Sequence, residues 1–283
     1  MASLTNFATL SYNGGTTNSN IVTGEILEAL TAVKTAVSAN YSAGDRITYA
    51  LSLVNTGTAA ITDYTVTDNL GGYTVGANTV YPLAYNAGTV RYYINGVLQT
   101  APTVTAGPPL TVTGLTVPAG GSAVLIYETT ATPVAPLATG SSITNTATIT
   151  GGGLTNPITA QATVETANSA ELSISKALSP TTVTENGQIT YTFVISNTGN
   201  TEATAADNVV VTDTFAPILR NIAVTYNGTA WTEGTNYTYN AATGVFTTLA
   251  GQITVPAATF TQNTDGTFTV TPGTAALVIT GTV

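Results

Sequence analysis

An internal repeat constrains the fold of this chain more than any other feature of its sequence. Residues 46–57, RITYALSLVNTG, match residues 188–199, QITYTFVISNTG, over their whole length. A second match joins residues 64–68, YTVTD, to residues 209–213, VVVTD. Repeated segments in the same order indicate two copies of one structural unit. We therefore predict one domain at residues 28–166 and a second at residues 167–283.

The residues within each copy are typical of antiparallel β-structure. Residues 189–195, ITYTFVI, alternate a largely apolar face with a Thr-rich face, and β-branched and aromatic side chains pack well on a pleated sheet. Turn pairs such as Asn95-Gly96 and Asn227-Gly228 punctuate the strands at short intervals. The pattern predicts an all-β fold of two tandem immunoglobulin-like antiparallel β-sandwich domains.

The second copy is shorter than the first. The first copy continues through residues 142–149, SITNTATI, to about residue 166, whereas the second ends before any equivalent of that segment. A similar segment lies at the other end of the chain, at residues 3–10, SLTNFATL. We therefore predict that residues 1–27 are a donor segment that supplies the closing strand missing from domain 2.

A sandwich without its closing strands exposes an apolar groove and an unpaired sheet edge, which is a template for strand pairing. The donor face of the N-terminal strand carries Leu4, Asn6, Ala8 and Leu10. Closure within one chain is one solution, and strand addition by a neighbouring copy is the other. The second contact is heterologous and generates an open fibre. We favour this head-to-tail homopolymer; packing of the segment on its own chain, or excision from a longer array, are the alternatives.

The two lysines of the chain, Lys34 and Lys176, occupy equivalent positions at the starts of the two copies. Strand alternation points Lys176 toward the core, although lysine is rarely buried without a partner. Asp68 and Asp213 share the apolar faces of their strands, and Asn145 lies on the apolar face of residues 143–149. Each domain is thus predicted to place a lysine and an aspartate inside, with an asparagine in domain 1.

This combination supports a specific reaction. Desolvation lowers the pKa of a lysine and raises that of an aspartic acid. A neutral amine can then attack the Asn carboxamide while the Asp promotes proton transfer, and ammonia leaves. Within domain 1 the set is Lys34, Asp68 and Asn145. Between subunits it is Lys176, Asp213 and the donor residue Asn6, which aligns with Asn145. The alternative is a polar cluster or ion pair that never reacts.

The composition excludes several classes of function. The chain has no His and no Cys, which excludes Ser-His-Asp and Cys-His catalysis and zinc-finger or iron–sulfur sites. Five basic residues against fourteen acidic ones, a net charge of −9, do not suit a nucleic-acid binder. No apolar stretch is long enough for a membrane helix. We predict no metal, no cofactor and no enzymatic activity beyond self-directed bond formation.

Several motifs resemble the DUF11 repeat of bacterial surface proteins. They are residues 172–180, LSISKALSP; residues 189–199, ITYTFVISNTG; residues 210–214, VVTDT; and residues 145–148, NTAT. The resemblance covers both copies and implies immunoglobulin-like sandwiches in extracellular, stalk-like proteins. The order Lys, Asp, Asn is also similar to that of isopeptide-forming domains in adhesins and pili.

The predicted location is extracellular, on a cell or spore surface. The N-terminal residues have neither the basic nor the apolar region of a signal peptide, so a spore appendage is one expectation. The main prediction is a structural filament subunit. The alternative is an adhesin or glycan-binding stalk module, and the candidate glycan contacts are Tyr92, Tyr93, Tyr226, Trp231, Tyr237 and Tyr239.

Overall fold

The computed structural model describes residues 2–26 and 29–283. Two compact units are present: residues 1–135 with 142–165, and residues 136–141 with 166–283. Within the described ranges the only helical element is a 3-10 turn at Ala205–Asp207. The predicted all-β class with antiparallel sandwich domains is confirmed.

The N-terminal segment forms one interrupted two-stranded hairpin, with an inner pair of strands nested between an outer pair, which we call the N-terminal hairpin. Its strands are β1 (Ala2–Asn6), β2 (Thr9–Tyr12), β3 (Gly15–Asn18) and β4 (Val22–Ile26). Strand β1 pairs with β4, and β2 pairs with β3 around the turn at Asn13 and Gly14. Every side chain described from Leu4 to Gly24 is exposed. The predicted single donor strand is therefore one arm of a two-stranded element.

The first unit builds domain 1 from fourteen further strands. They are β5 (Leu30–Ala36), β6 (Asn40–Tyr41), β7 (Arg46–Asn55), β8 (Ile61–Asp68), β9 (Tyr73–Val75), β10 (Asn78–Val80), β11 (Leu83–Tyr85), β12 (Arg91–Ile94), β13 (Val97–Leu98), β14 (Thr103–Thr105), β15 (Leu110–Val117), β16 (Ser122–Ala131), β17 (Ser142–Gly151) and β18 (Ile158–Thr166).

Domain 1 has two six-stranded sheets. One has the order β13-β12-β16-β7-β5, with β11 also paired to β16, and the other has the order β14-β15-β8-β17-β18-β6. Burial alternates residue by residue along β16, from Ser122 to Ala131, so that one face of the strand is in the core. Large buried side chains, among them Tyr49, Leu51, Tyr64 and Tyr127, fill that core.

The second unit builds domain 2 from ten strands. They are β19 (Leu172–Ser179), β20 (Gln188–Asn197), β21 (Thr212–Thr214), β22 (Arg220–Tyr226), β23 (Thr229–Trp231), β24 (Tyr237–Asn240), β25 (Val245–Thr248), β26 (Thr259–Gln262), β27 (Phe268–Thr271) and β28 (Gly273–Thr282). Its core includes Phe193, Phe215, Phe246, Leu277 and Ile279.

The sheets of domain 2 are less complete than those of domain 1. One has the order β19-β20-β28-β22-β23, but the other has only β21-β25-β24. In domain 1, strand β8 is paired on both sides, by β15 and by β17. Its repeat equivalent, β21, pairs only with β25 among the strands that the structure describes. No described counterpart of β17 and β18 covers the other edge of β21.

Candidate functional site

The three predicted residues of domain 1 lie on strands of both sheets. Lys34 is on β5, Asp68 ends β8, and Asn145 is on β17. The Nζ atom of Lys34 is 2.5 Å from Oδ2 of Asp68, and their side chains are 0% and 1% exposed. An ion pair so thoroughly removed from water costs desolvation energy, which its mutual attraction offsets only with good geometry.

Additional groups hold this pair in place. Asp68 accepts hydrogen bonds from the backbone N–H of Leu70, at 3.0 Å on Oδ1, and from the Tyr127 hydroxyl on Oδ2. The Lys34 ammonium lies 4.8 Å from the ring centroid of Tyr49. Burial lowers the pKa of Lys34 to about 8 although the charge of Asp68 raises it. The neutral, nucleophilic form of the amine is therefore more accessible near neutral pH than it is for an exposed lysine.

Asn145 is fully buried, and neither its Oδ1 nor its Nδ2 has a hydrogen-bond partner of standard geometry. Because Ala147 pairs with Asp68, Asn145 lies two residues further along the same face, diagonal to Asp68. Interaction with the Asn145 side chain also lowers the pKa of Tyr49 and of Tyr127, against the larger effect of burial. The carboxamide is thus beside both phenols, and leaving it unpaired costs about 1–3 kcal/mol.

The cluster contains the parts of an amide-forming reaction. Lys34 is a desolvated amine, Asp68 is a proton carrier within hydrogen-bond distance of it, and Asn145 is an unpaired carboxamide on the neighbouring strand. Burial excludes the water that would compete with the amine. Sequence reasoning identified these three residues but missed Tyr49 and Tyr127; the retention of the first as Tyr191 in the repeat was an available signal.

Domain 2 forms the same pair in a different environment. The Nζ atom of Lys176 is 2.5 Å from Oδ2 of Asp213, but the two side chains are 40% and 18% exposed. Asp213 Oδ1 accepts a 3.0 Å hydrogen bond from the Thr214 N–H. The Lys176 ammonium lies 4.5 Å from the centroid of Tyr191, the repeat equivalent of Tyr49. The pair is assembled, but one side of it faces solvent.

The apolar side chains near Lys176 are also uncovered. Leu172, Ile174 and Leu178 share its face on β19 and are 39%, 54% and 37% exposed. Leu30, the equivalent of Leu172 in domain 1, is 2% exposed. These exposed side chains accompany the unpaired edge of β21. Together they form an open apolar surface, which we call the domain 2 groove.

Strands β1 and β4 of the N-terminal hairpin pair in the same register as β17 and β18, which close domain 1, whereas the pairing of β2 with β3 is shifted by one residue. When residues 3–6 are aligned with residues 142–145, their partners on the opposite strands, residues 22–25 and 162–165, align with each other as well. The matching pairs are Ser3–Glu25 with Ser142–Glu165, and Asn6–Val22 with Asn145–Ala162. Asn6 thus has the position of Asn145 in a hairpin of the same design, and its side chain is exposed.

The aromatic residues considered as glycan contacts mostly belong to the packing of the domains. Tyr92, Tyr226 and Tyr237 are at most 8% exposed. The Tyr226 hydroxyl donates a 2.6 Å hydrogen bond to the Thr254 carbonyl, and its ring stacks on Trp231 with centroids 4.8 Å apart. A glycan platform built from this whole set is therefore wrong, because the sandwich buries half of it.

The described residues hold no group of three or more acidic, His or Cys side chains that could bind a metal ion. No helix in the described ranges is long and apolar enough to span a membrane.

No protein-family model matches the chain, and no curated protein sequence matches it. The DUF11 resemblance therefore stays an interpretation of the motifs.

Similar solved structures are Gram-positive pilin and adhesin domains. The major pilin subunit BcpA of Bacillus cereus is 14% identical, with 96% of this chain and 73% of that chain covered and a TM-score of 0.35. The C-terminal fragment of the major pilin GBS80 of Streptococcus agalactiae is 14% identical, with 87% of each chain covered and a TM-score of 0.37.

A collagen-binding domain of a Staphylococcus aureus adhesin is 11% identical, with 49% of this chain and 99% of that chain covered and a TM-score of 0.31. A family 123 glycoside hydrolase of Clostridium perfringens is 10% identical, with 49% and 27% covered and a TM-score of 0.31. Since every one of these TM-scores is below 0.5, none of the likenesses bears on function, which we infer from the residues of the chain itself.

Proposed function

We propose that the chain is a structural subunit of an extracellular filament, assembled head to tail by insertion of each N-terminal hairpin into the domain 2 groove of the next subunit. By the pairing of residues 147–151 with β8 in domain 1, Ala8 and strand β2 would pair with the free edge of β21, and β3 would lie outside β2. The partner of the chain is then another copy of itself. Such a contact is heterologous and does not close, so it extends into a fibre.

The observation that carries this proposal is the similarity between the hairpin that domain 2 does not have among its described strands and the exposed N-terminal hairpin. Among the described strands, domain 2 has no counterpart of the hairpin that closes domain 1, and an exposed hairpin whose outer strands β1 and β4 share that register is present at residues 2–26. Each is unfavourable alone, because β21 leaves backbone groups unpaired and the hairpin exposes Leu4 and Leu10. Insertion of the hairpin beside β21 would pair those backbone groups and cover the two leucines. It requires only another copy of the chain.

The same insertion would complete the second lysine site. In domain 1 the asparagine is diagonal to the aspartate on the neighbouring strand, and Asn6 would take that position beside Asp213. We propose a Lys34–Asn145 bond within each subunit, promoted by Asp68, and a Lys176–Asn6 bond between subunits, promoted by Asp213. On assembly Lys176 would lose its contact with solvent and become as buried as Lys34 is in domain 1. Its amine would then be a better nucleophile, because desolvation favours the neutral form.

Deletion and relocation of the hairpin test the assembly step. We expect a chain lacking residues 1–26 to remain monomeric by light scattering and to show no fibres by electron microscopy. Relocating residues 1–26 behind Val283 through a Gly/Ser linker long enough for β2 to reach β21 should give a self-completed monomer. The control is the full chain with the same linker appended alone, which should still assemble.

Fibres formed without residues 1–26 would contradict the proposal, as would fibres whose formation is unaffected by the relocation. A denaturing gel separates the covalent step from the assembly step. Fibres of the full chain should resist hot detergent as a ladder, whereas fibres of Asn6→Ala should dissolve to monomer. If the full chain also dissolved to monomer, strand insertion would stand and the inter-subunit bond would be refuted.

A further inference from the structure

We propose that the Tyr49 hydroxyl is a catalytic group of the bond-forming step in domain 1, where it donates a hydrogen bond to the carboxamide oxygen of Asn145. Tyr191 has the same role toward Asn6 in domain 2. This inference rests on the isopeptide chemistry proposed above and identifies the group that stabilises its transition state.

Two unpaired polar groups lie together in the core of domain 1. The Oη of Tyr49 is buried without a hydrogen-bond partner, and so are Oδ1 and Nδ2 of Asn145. Interaction with Asn145 lowers the pKa of Tyr49, the direction expected when the carboxamide Nδ2 faces the phenol oxygen, so the two side chains are adjacent. A half-turn of the carboxamide presents Oδ1 in place of Nδ2. Buried polar groups are nearly always paired, and an exception indicates strain or a catalytic role. A rotation of either side chain joins them.

The reaction requires a hydrogen-bond donor at this oxygen. Asp68 first takes a proton from the Lys34 ammonium, leaving a neutral amine. Attack of Nζ on Cγ of Asn145 forms the new C–N bond and moves the carbonyl π electrons onto Oδ1. Asp68 gives its proton to Nδ2 and takes one from the attached Nζ, so that ammonia leaves as the carbonyl reforms. Charge on Oδ1 is greatest between these steps, and a donor aimed at it is worth about 10²–10³ in rate.

Tyr49 suits this role chemically. Burial raises its pKa far above neutral pH, so its hydroxyl keeps the proton that it donates. The other phenol beside Asn145 belongs to Tyr127, which is already hydrogen-bonded to Asp68. Tyr49 is thus the phenol with a free donor, and its ring also lies 4.8 Å from the attacking amine.

The repeat distinguishes the two phenols. Tyr49 faces Tyr127 across β7 and β16, whereas its equivalent Tyr191 faces Ile279 across β20 and β28. Domain 2 therefore keeps the counterpart of Tyr49 and has no phenol at the position of Tyr127. Since Lys176 lies 4.5 Å from the Tyr191 ring, the lysine, the aspartate and this tyrosine are common to both sites.

The test follows ammonia loss over time in freshly synthesised full-length chain, quenched in acid and denaturant, by intact mass. An Asn6→Ala background limits the signal to the bond in domain 1. We expect Tyr49→Phe, which keeps the ring, to slow ammonia loss by about 10²-fold. The matched control is Tyr64→Phe, which removes another buried and unpaired hydroxyl of domain 1 and should leave the rate unchanged.

Tyr191→Phe in an Asn145→Ala background tests the second site through the rate of ladder formation on a denaturing gel. Ladder formation should slow to a similar extent. Parent-like rates in Tyr49→Phe would overturn the role of the hydroxyl while leaving the isopeptide bond intact. Equal slowing by Tyr64→Phe would also overturn it, because the effect would then be structural. Absence of ammonia loss in the parent would instead refute the bond itself, and this inference with it.

Discussion

The two domains place the same pair of residues in opposite environments. Lys34 and Asp68 are sealed in the core of domain 1 by β17, while Lys176 and Asp213 lie at an edge that no described strand covers. The interatomic distance is 2.5 Å in both pairs. The pairing is therefore encoded in the repeat itself, whereas burial depends on a hairpin that one domain has and the other lacks.

This difference explains how one sequence motif can have two uses. In domain 1 the hairpin is part of the continuous chain, so folding alone would bring Asn145 to the lysine. In domain 2 the equivalent chemistry would wait for a neighbour, because the desolvation that activates an amine arrives only with the hairpin that carries the asparagine. In the proposed assembly, an incomplete domain of this kind would be a receptor for the next subunit.

The largest effect on the comparison should come from removing the covalent link of domain 1. Asn145→Ala opens a cross-link that would close a loop of about 110 residues, so we expect the free energy of unfolding of domain 1 to fall by roughly 5 kcal/mol. Chemical denaturation monitored by the fluorescence of the Tyr residues measures this change.

Lys34→Met is the companion variant, since it removes the same link from the other side and should destabilise domain 1 similarly. An Asn145→Ala protein with the stability of the parent would mean that no link forms in domain 1. The two domains would then differ only in burial.

A smaller effect is a pH dependence of the free energy of unfolding, expected only when Lys34 has no covalent bond to Asn145. In Asn145→Ala, burial should hold the folded-state pKa of Lys34 at about 8, below the 10.5 of an exposed lysine. Between these values the unfolded chain binds more protons, so the free energy of unfolding should increase as pH rises from 8 to 10. The full difference is on the order of 3 kcal/mol.

Lys34→Met in the same Asn145→Ala background is the control, and it should lack this increase. Denaturation curves at several pH values measure both variants. An equal increase in the free energy of unfolding of the control would show that titration of groups other than Lys34 causes it. The parent, in which Lys34 would be an amide under the proposed linkage, should also lack this increase.

The smallest effect concerns the apolar contacts of the hairpin in the domain 2 groove. Leu10 aligns with Ile149, which is fully buried in domain 1. Leu10→Ala should therefore weaken assembly by about 2–3 kcal/mol, or roughly 30- to 160-fold in critical concentration. The measurement is made in an Asn6→Ala background, where assembly is reversible, by sedimentation of fibres.

Ser11→Ala is the matched control, because Ser11 lies on the opposite face of β2 from Leu10. This variant should assemble like the background protein. Equal weakening by both variants would contradict the alignment of the hairpin with β17 and β18.

The sequence alone predicted the features that depend on alternation and repetition. The β-sandwich class follows from segments such as residues 189–195, and the equivalence of Lys34 and Lys176 follows from aligned repeats. The roles of Tyr49 and Tyr127 did not follow, because their proximity to Asn145 arises from strands far apart in sequence. For a related reason the sequence did not show that two of the candidate glycan contacts are core residues: Tyr226 and Tyr237 are buried once the strands pair.

Cysteine cross-linking tests the insertion of the hairpin most directly, because the chain contains no Cys. In domain 1, Thr148 of β17 faces Thr67 of β8, which places Thr9 opposite Thr212 of the neighbouring subunit. A chain carrying Thr9→Cys, Thr212→Cys and Asn6→Ala should therefore give a disulfide ladder on a non-reducing gel. The variant with Thr5→Cys in place of Thr9→Cys is out of register and should not. Monomers without a disulfide, or monomers closed internally by one, would contradict head-to-tail assembly.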